Sequence, residues 1–99
     1  MQTSVTSLEK AAPAFSAYAA ATINQARAHG IVAHSVWTRV PNPGEKPSNE
    51  VIGVDVWLDG DEMNRYYDLG VGFEHLGPVF AAKPDTSTWQ SAPGAWIEW

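Results

Sequence analysis

Apolar residues recur every third or fourth position in the first third of the chain, and every second position beyond it. Leu8, Ala12, Phe15, Ala19, Ile23 and Ala26 draw one stripe along a helix. Thr6-Ser7-Leu8-Glu9 ahead of it has the form of a capping box, in which the threonine hydroxyl and the glutamate each satisfy an orphan amide. Arg27 and His29 put positive charge at the carboxyl end of the helix dipole, and Gly30 supplies a left-handed stop. Pro13 lacks an amide and crowds the preceding turn, so the helix is expected to kink there or to begin near it.

From Ala33 the period is two. Val36, Thr38 and Val40 share one parity, and Ser35, Trp37 and Arg39 share the other. After the loop Pro41–Asn49, with three prolines, the run Val51–Leu58 sets Ile52, Val54, Val56 and Leu58 against Asp55 and Trp57. These two runs predict an antiparallel hairpin. If the aliphatic sets face together, Val36 opposes Leu58, Val40 opposes Val54, Trp37 opposes Trp57 and Arg39 opposes Asp55. The helix stripe would then cover the aliphatic side and leave the tryptophan and charge pairs outside.

Asp59-Gly60 reads as a turn. Residues 61–70 fit either a helical turn ending at Gly70 or the approach to a strand. A third strand from about Tyr66 to Phe73 is preferred, because Gly70 and Gly72 suit a twisted or bulged strand. Leu76–Ala82 suggests a short edge segment, Pro84–Pro93 a loop, and Ala95–Trp99 a closing strand that alternates to the terminal carboxylate. Three of the five tryptophans, Trp89, Trp96 and Trp99, fall in the last eleven residues. Such a tail either docks on its own domain or meets another surface. The pattern as a whole predicts an α+β fold: one N-terminal helix packed on an antiparallel sheet of three to five strands, in a single domain spanning the 99 residues.

Composition narrows the function classes. There is no cysteine, which excludes disulfides, thiolate zinc sites and cysteine nucleophiles. Six basic against eleven acidic residues give a net charge of −5, the wrong sign for direct nucleic-acid binding and the right one for a basic protein partner or for solubility alone. The first residues lack a signal-peptide pattern and no apolar run is long enough to span a bilayer, so a cytoplasmic protein without membrane contact is expected.

No stretch carries a specific catalytic or cofactor motif. Gly70-Val71-Gly72 has no third glycine opening a helix, and the serines lack a nucleophile elbow. The acidic turn Asp59, Asp61, Glu62 does not fit a calcium loop, and His29, His34 and His75 are not spaced for zinc, so neither metal nor cofactor is expected. The expected contact surface is Trp37 and Trp57 as aromatic anchors, with Arg39, Asp55, Asp59, Asp61 and Glu62 as its charged component. Its reading is a small acidic, non-enzymatic inhibitor or immunity-type protein, bacterial or phage, covering the basic surface of a nucleic-acid-processing or toxic enzyme. The alternatives are a self-associating structural subunit (phage particle or homo-oligomer) that pairs through Trp96 and Trp99, and a small enzyme using His34 or His75 with a nearby carboxylate.

Overall fold

The structure, a computed structural model, describes residues 1–91. The strand expected over Ala95–Trp99, and with it the self-association role of Trp96 and Trp99, lies outside the described residues. The chain runs β1 (Gln2–Ser4), α1 (Leu8–Ala28), β2 (Ile31–Thr38), β3 (Glu50–Trp57) and α2 (Gly60–Asp68), followed by 3-10 turns at Phe73–His75 and Gly77–Val79. The three strands form an antiparallel sheet in the order β1-β3-β2, with the helices on it, so the α+β expectation holds.

Helix α1 is capped by Ser7, one residue later than the capping box implied; its side chain accepts from the Lys10 amide at 3.3 Å. It runs through Pro13 without ending and stops at Gly30, whose φ of 96° takes the left-handed turn foreseen for it. The buried stripe is Ala11, Tyr18, Thr22 and Ala26, with Ala14 and Phe15 partly buried, while Leu8 and Ile23 are exposed. The helix is thus turned by about one residue from the predicted stripe, because its partners are aromatic and small. Tyr18 stacks on Phe73 at 6.2 Å, and Thr22 lies so close to Gly72 that a Cβ there would meet its methyl at 2.5 Å.

The hairpin forms, in a different register. Trp37 opposes Ile52 instead of Trp57, His34 opposes Asp55, and Arg39 donates its amide to the Glu50 carbonyl instead of facing Asp55. A slip by an odd number of residues exchanges the faces of β3 relative to β2. Val36 still points to the helices, but its partner is now Gly53, and it shares its face with Val51, Asp55 and Trp57. The aliphatic set Ile52, Val54 and Val56 looks outward with Trp37. The long loop between the strands does not fix register as a two-residue turn would.

β1 was not foreseen. It pairs with β3 through Thr3↔Val51, and on its other side Val5 and Gln2 bridge to Phe80 and Asp85; the edge segment expected over Leu76–Ala82 is instead mostly a 3-10 turn, Gly77–Val79, with Phe80 making a single bridge. Val5, Ala11, Val51 and Val79 meet there as the core. The third strand expected over Tyr66–Phe73 is instead the end of α2 and a turn. Asp59 caps this helix by accepting from the Asp61 amide, and Tyr66 and Tyr67 pack against Trp57 at 5.2 and 5.5 Å between ring centres. Cap and aromatic contacts outweigh the alternating pattern of that stretch.

Candidate functional site: two faces of one sheet

The expected contact surface is divided between opposite sides of the sheet. Trp37 is on the outer face, 63% exposed. Around it Ile52, Val54 and Val56 are 45%, 43% and 47% exposed, a contiguous apolar area on neighbouring strands. The β3 row continues into exposed Leu58 and then into Asp59 and the first turn of α2, so the apolar face borders the acidic turn. Among the described residues no basic side chain pairs with Asp59 or Asp61, whereas Glu62 holds both His29 (3.0 Å) and Arg65. Those two hydrogen bonds, His29 first, hold the Glu62 carboxyl below its usual range. Arg39 sits at the far end, in a fork with Glu45 at 2.9 Å and Glu50 at 3.6 Å, already neutralised by its own chain. Exposed ion pairs of this kind add little stability.

Trp57 and Asp55 lie on the inner face and are not anchors of the outer one. The Trp57 ring is wedged against Tyr66 and Tyr67, and its Nε1 is buried. Asp55 accepts from His34 Nδ1 at 2.5 Å and from the Tyr67 hydroxyl at 2.5 Å. With the carboxylate as acceptor, His34 carries its proton on Nδ1. Burial pushes the Asp55 carboxyl up, but the hydrogen bonds from His34 and Tyr67 outweigh it and leave it below the ordinary range. The same hydrogen bond raises His34 against the opposing effect of burial. Burial, then the Asp55 carboxylate, drives the Tyr67 phenol upward.

Tyr18 closes this group from α1, its ring 6.1 Å from His34. Beside it, between α1 and β2, runs a groove lined by Tyr18, Ile23, Ala26, Ile31, Asp55 and Tyr66 among others. His75 is 3.8 Å from Glu74 on a 3-10 turn, apart from the His34 cluster. Ser35 Oγ faces the outer side, bonding the Val54 carbonyl and Trp37 Nε1, so it is not aligned with His34. Among the described residues no three His, Asp or Glu converge as metal ligands, and no helix is long and apolar enough to cross a membrane.

Sequence reasoning missed Ile52, Val54 and Val56 as surface residues, and Tyr18, Tyr66 and Tyr67 as partners of Asp55. A usable signal was the other parity of β3: Val51, Gly53, Asp55 and Trp57 combine the largest side chain of the strand with a glycine, which suits a face approached closely by other elements. Met1 makes that approach, since a Cβ on Gly53 would stand 3.2 Å from its Cε. The molecule is a helix-on-sheet α+β protein, and among the described residues one face of its sheet is left exposed. No known family, curated protein or solved structure matches the chain.

Proposed function

We propose that this protein is a non-enzymatic binding module, of inhibitor or immunity type, that covers the surface of a basic protein with the outer face of its sheet. The observation that carries the reading is the apolar area formed by Trp37, Ile52, Val54 and Val56, exposed among the described residues, which runs into Asp59 and Asp61, carboxylates that no basic side chain among those residues pairs. Contiguous exposed apolar surface is uncommon on monomers unless it meets something, and tryptophan is the commonest anchor of such contacts. The overall charge of −5 and the acidic border select a positively charged partner and speed its approach. Trp37 is retained from the expected anchors, Asp59 and Asp61 from the acidic component, and the aliphatic row of β3 replaces Trp57 and Asp55.

The test is affinity capture from cells of the source organism with the parent chain and with a Val54→Lys variant, followed by kinetics with the purified partner. The reading requires a basic protein that the parent binds directly, that Val54→Lys loses, and whose association slows as ionic strength rises. Recovery of the same proteins by both chains overturns it.

A second reading, self-association, is favoured by β2. Among the described residues it is an edge strand of eight residues, Ile31–Thr38, with no Lys, Glu or Pro to discourage pairing with another copy. Sedimentation of a monomer at high micromolar concentration removes it.

A further inference from the structure

The inner side of the sheet holds a feature that a binding role for the outer face leaves unused. Tyr66 is 96% buried, as its 4% exposure gives, and its hydroxyl has no hydrogen-bond partner among the described residues. A buried hydroxyl without a partner forfeits the hydrogen bonds it makes in water, so such a group is expected to bond to something that enters. Tyr18 is near enough for Tyr66 to help raise its phenol, after the larger effect of burial, but the two hydroxyls fall short of hydrogen-bonding geometry. Tyr66 lines the groove between α1 and β2, whose cavity measures about 60 Å³.

The walls of that groove set the chemistry of its occupant. Ile23, Ala26 and Ile31 present methyl and methylene groups along its length. Its polar members are Asp55, His34, the two phenols and Thr22, whose hydroxyl already donates to the Tyr18 carbonyl. Asp55 is the one carboxylate among the lining residues, and it is fixed in place by His34 and Tyr67. A groove whose lining combines these apolar side chains with an anchored carboxylate, the Tyr18 ring and the tyrosine that carries the unpartnered hydroxyl matches an alkyl chain bearing a cationic head. Its volume accommodates roughly four or five water-sized groups, about the size of a butylammonium ion.

We propose that the groove between α1 and β2 is a binding site for a primary alkylammonium group, whose stem lies along Ile23, Ala26 and Ile31 and whose head bonds to Asp55 and to the Tyr66 hydroxyl. The group belongs either to a free aliphatic amine or to the side chain of a lysine. The site lies on the helix-covered side of the sheet and does not depend on the outer face being a contact surface.

Occupancy is coupled to protonation. The charged or titratable groups that face His34 are Asp55 on β3, Tyr18 on α1, Tyr66 and Tyr67 on α2, and more remotely the amino terminus, whose charge acts on Asp55. Among the side chains with a resolved shift, His34 is the one whose ordinary value lies close to neutral pH, while Asp55 is held low and the phenols Tyr18 and Tyr67 are driven high. A protonated His34 competes with a bound ammonium for the same carboxylate. Binding therefore releases a proton from His34 and tightens as pH rises through its titration.

The experiment is a titration of the full chain with n-butylammonium chloride, followed by amide and methyl NMR shifts, with sodium chloride as the ionic control and n-butanol as the isosteric neutral probe. The expected result is saturable shifts confined to Tyr18, Ile23, Ile31, His34 and Asp55, in the millimolar range suited to so small a ligand. Affinity is expected to rise roughly tenfold between about pH 5.5 and about pH 8. Tyr66→Phe removes the unpartnered hydroxyl without disturbing packing, so it is expected to fold with unchanged or higher stability while weakening binding several-fold. Asp55→Asn is expected to abolish binding. Nα-acetyl-lysine methylamide distinguishes the sources: saturable shifts at the same residues assign the group to a lysine side chain, and their absence beside a positive butylammonium result assigns it to a free amine. Equal binding of n-butanol, affinity independent of pH, unchanged binding by Tyr66→Phe, or no saturable shift at all overturns the proposal, the last meaning that the groove holds water alone.

Discussion

The two faces of β3 differ more sharply in surroundings than in sequence. Outward lie Ile52, Val54 and Val56, three β-branched aliphatic side chains left partly bare; inward lie Val51, Gly53, Asp55 and Trp57, including one carboxylate and one glycine. By hydropathy the first set is the better core. The molecule buries the second, because that face has partners: Val5, Ala11 and Val79 around Val51, two tyrosines around Trp57, and His34 and Tyr67 around Asp55. Burial follows the sum of contacts a face can make, and one tryptophan packed between aromatic rings outweighs several aliphatic groups that no described residue covers fully. An alternating strand announces that it has two faces without saying which will be covered.

The largest effect is expected from placing the same charge on either side. Val51→Asp puts an unpaired carboxylate in a position 1% exposed and loses a buried side chain, a cost above about 4 kcal/mol, enough to unfold a domain of ordinary stability. Val54→Asp, three residues along and on the bare face, is expected to change stability by less than about 1 kcal/mol. Urea unfolding of both variants measures the difference, and equal losses would show that the outer face is covered in solution.

Next comes the closeness of the inner layer. Gly72 (φ 81°) has Thr22 Cγ2 at 2.5 Å from the place of a Cβ, whereas Gly70 (φ 64°) has open space around it. Both substitutions to Ala carry left-handed strain of about 1–2 kcal/mol, and Gly72→Ala adds a clash of about 1–3 kcal/mol. Thermal unfolding that ranks Gly70→Ala as the more damaging would contradict the contact between α1 and this turn.

A smaller effect concerns the polar centre. His34 is raised, so its contribution to stability is complete below its ordinary value of 6.5 and fades as pH climbs through the higher folded value. Asp55 is lowered, so its contribution is complete above 3.8 and fades as pH falls through the lower folded value. The pair therefore stabilises most between those two ordinary values. The stability gap between the parent and Asp55→Asn is expected to be widest in that window and to shrink on either side; urea midpoints across a pH series check this. A gap that keeps widening above neutral pH would show that the hydrogen bond to His34 is not its source.

The smallest change in stability is expected at Trp37. Its ring is mostly exposed and bonds only locally, Nε1 to Ser35 Oγ at 3.0 Å, so Trp37→Ala should shift the unfolding midpoint by less than about 1 kcal/mol while weakening capture of a partner. A large loss of stability would place Trp37 in a core.

Several elements were legible because their causes are local. The end of α1 at Gly30 is set by a residue free to take φ 96°, and the loop after β2 is set by prolines. Both strands of the hairpin follow from alternation. Other features were not legible because their causes lie far along the chain. The rotation of α1 depends on Gly72 and Phe73, the pairing of His34 with Asp55 on a register that the long loop leaves open, and the helical state of Tyr66 and Tyr67 on the Trp57 ring they pack against. Of the expected contact residues, Trp37, Asp59 and Asp61 share the outer face or its border. Asp55 and Trp57 belong inside, and Arg39 and Glu62 are occupied by neighbours.

By itself the sequence determined an α+β chain of acidic charge with one long helix, a hairpin and an aromatic-rich second half, since period, capping and turn chemistry act within a few residues. Only the tertiary structure decided which side of the sheet the helices and turns cover, because that choice depends on contacts between segments fifty or more residues apart. Val5 beside Val79 and Thr22 beside Gly72 are two such contacts, and no local pattern encodes their sum.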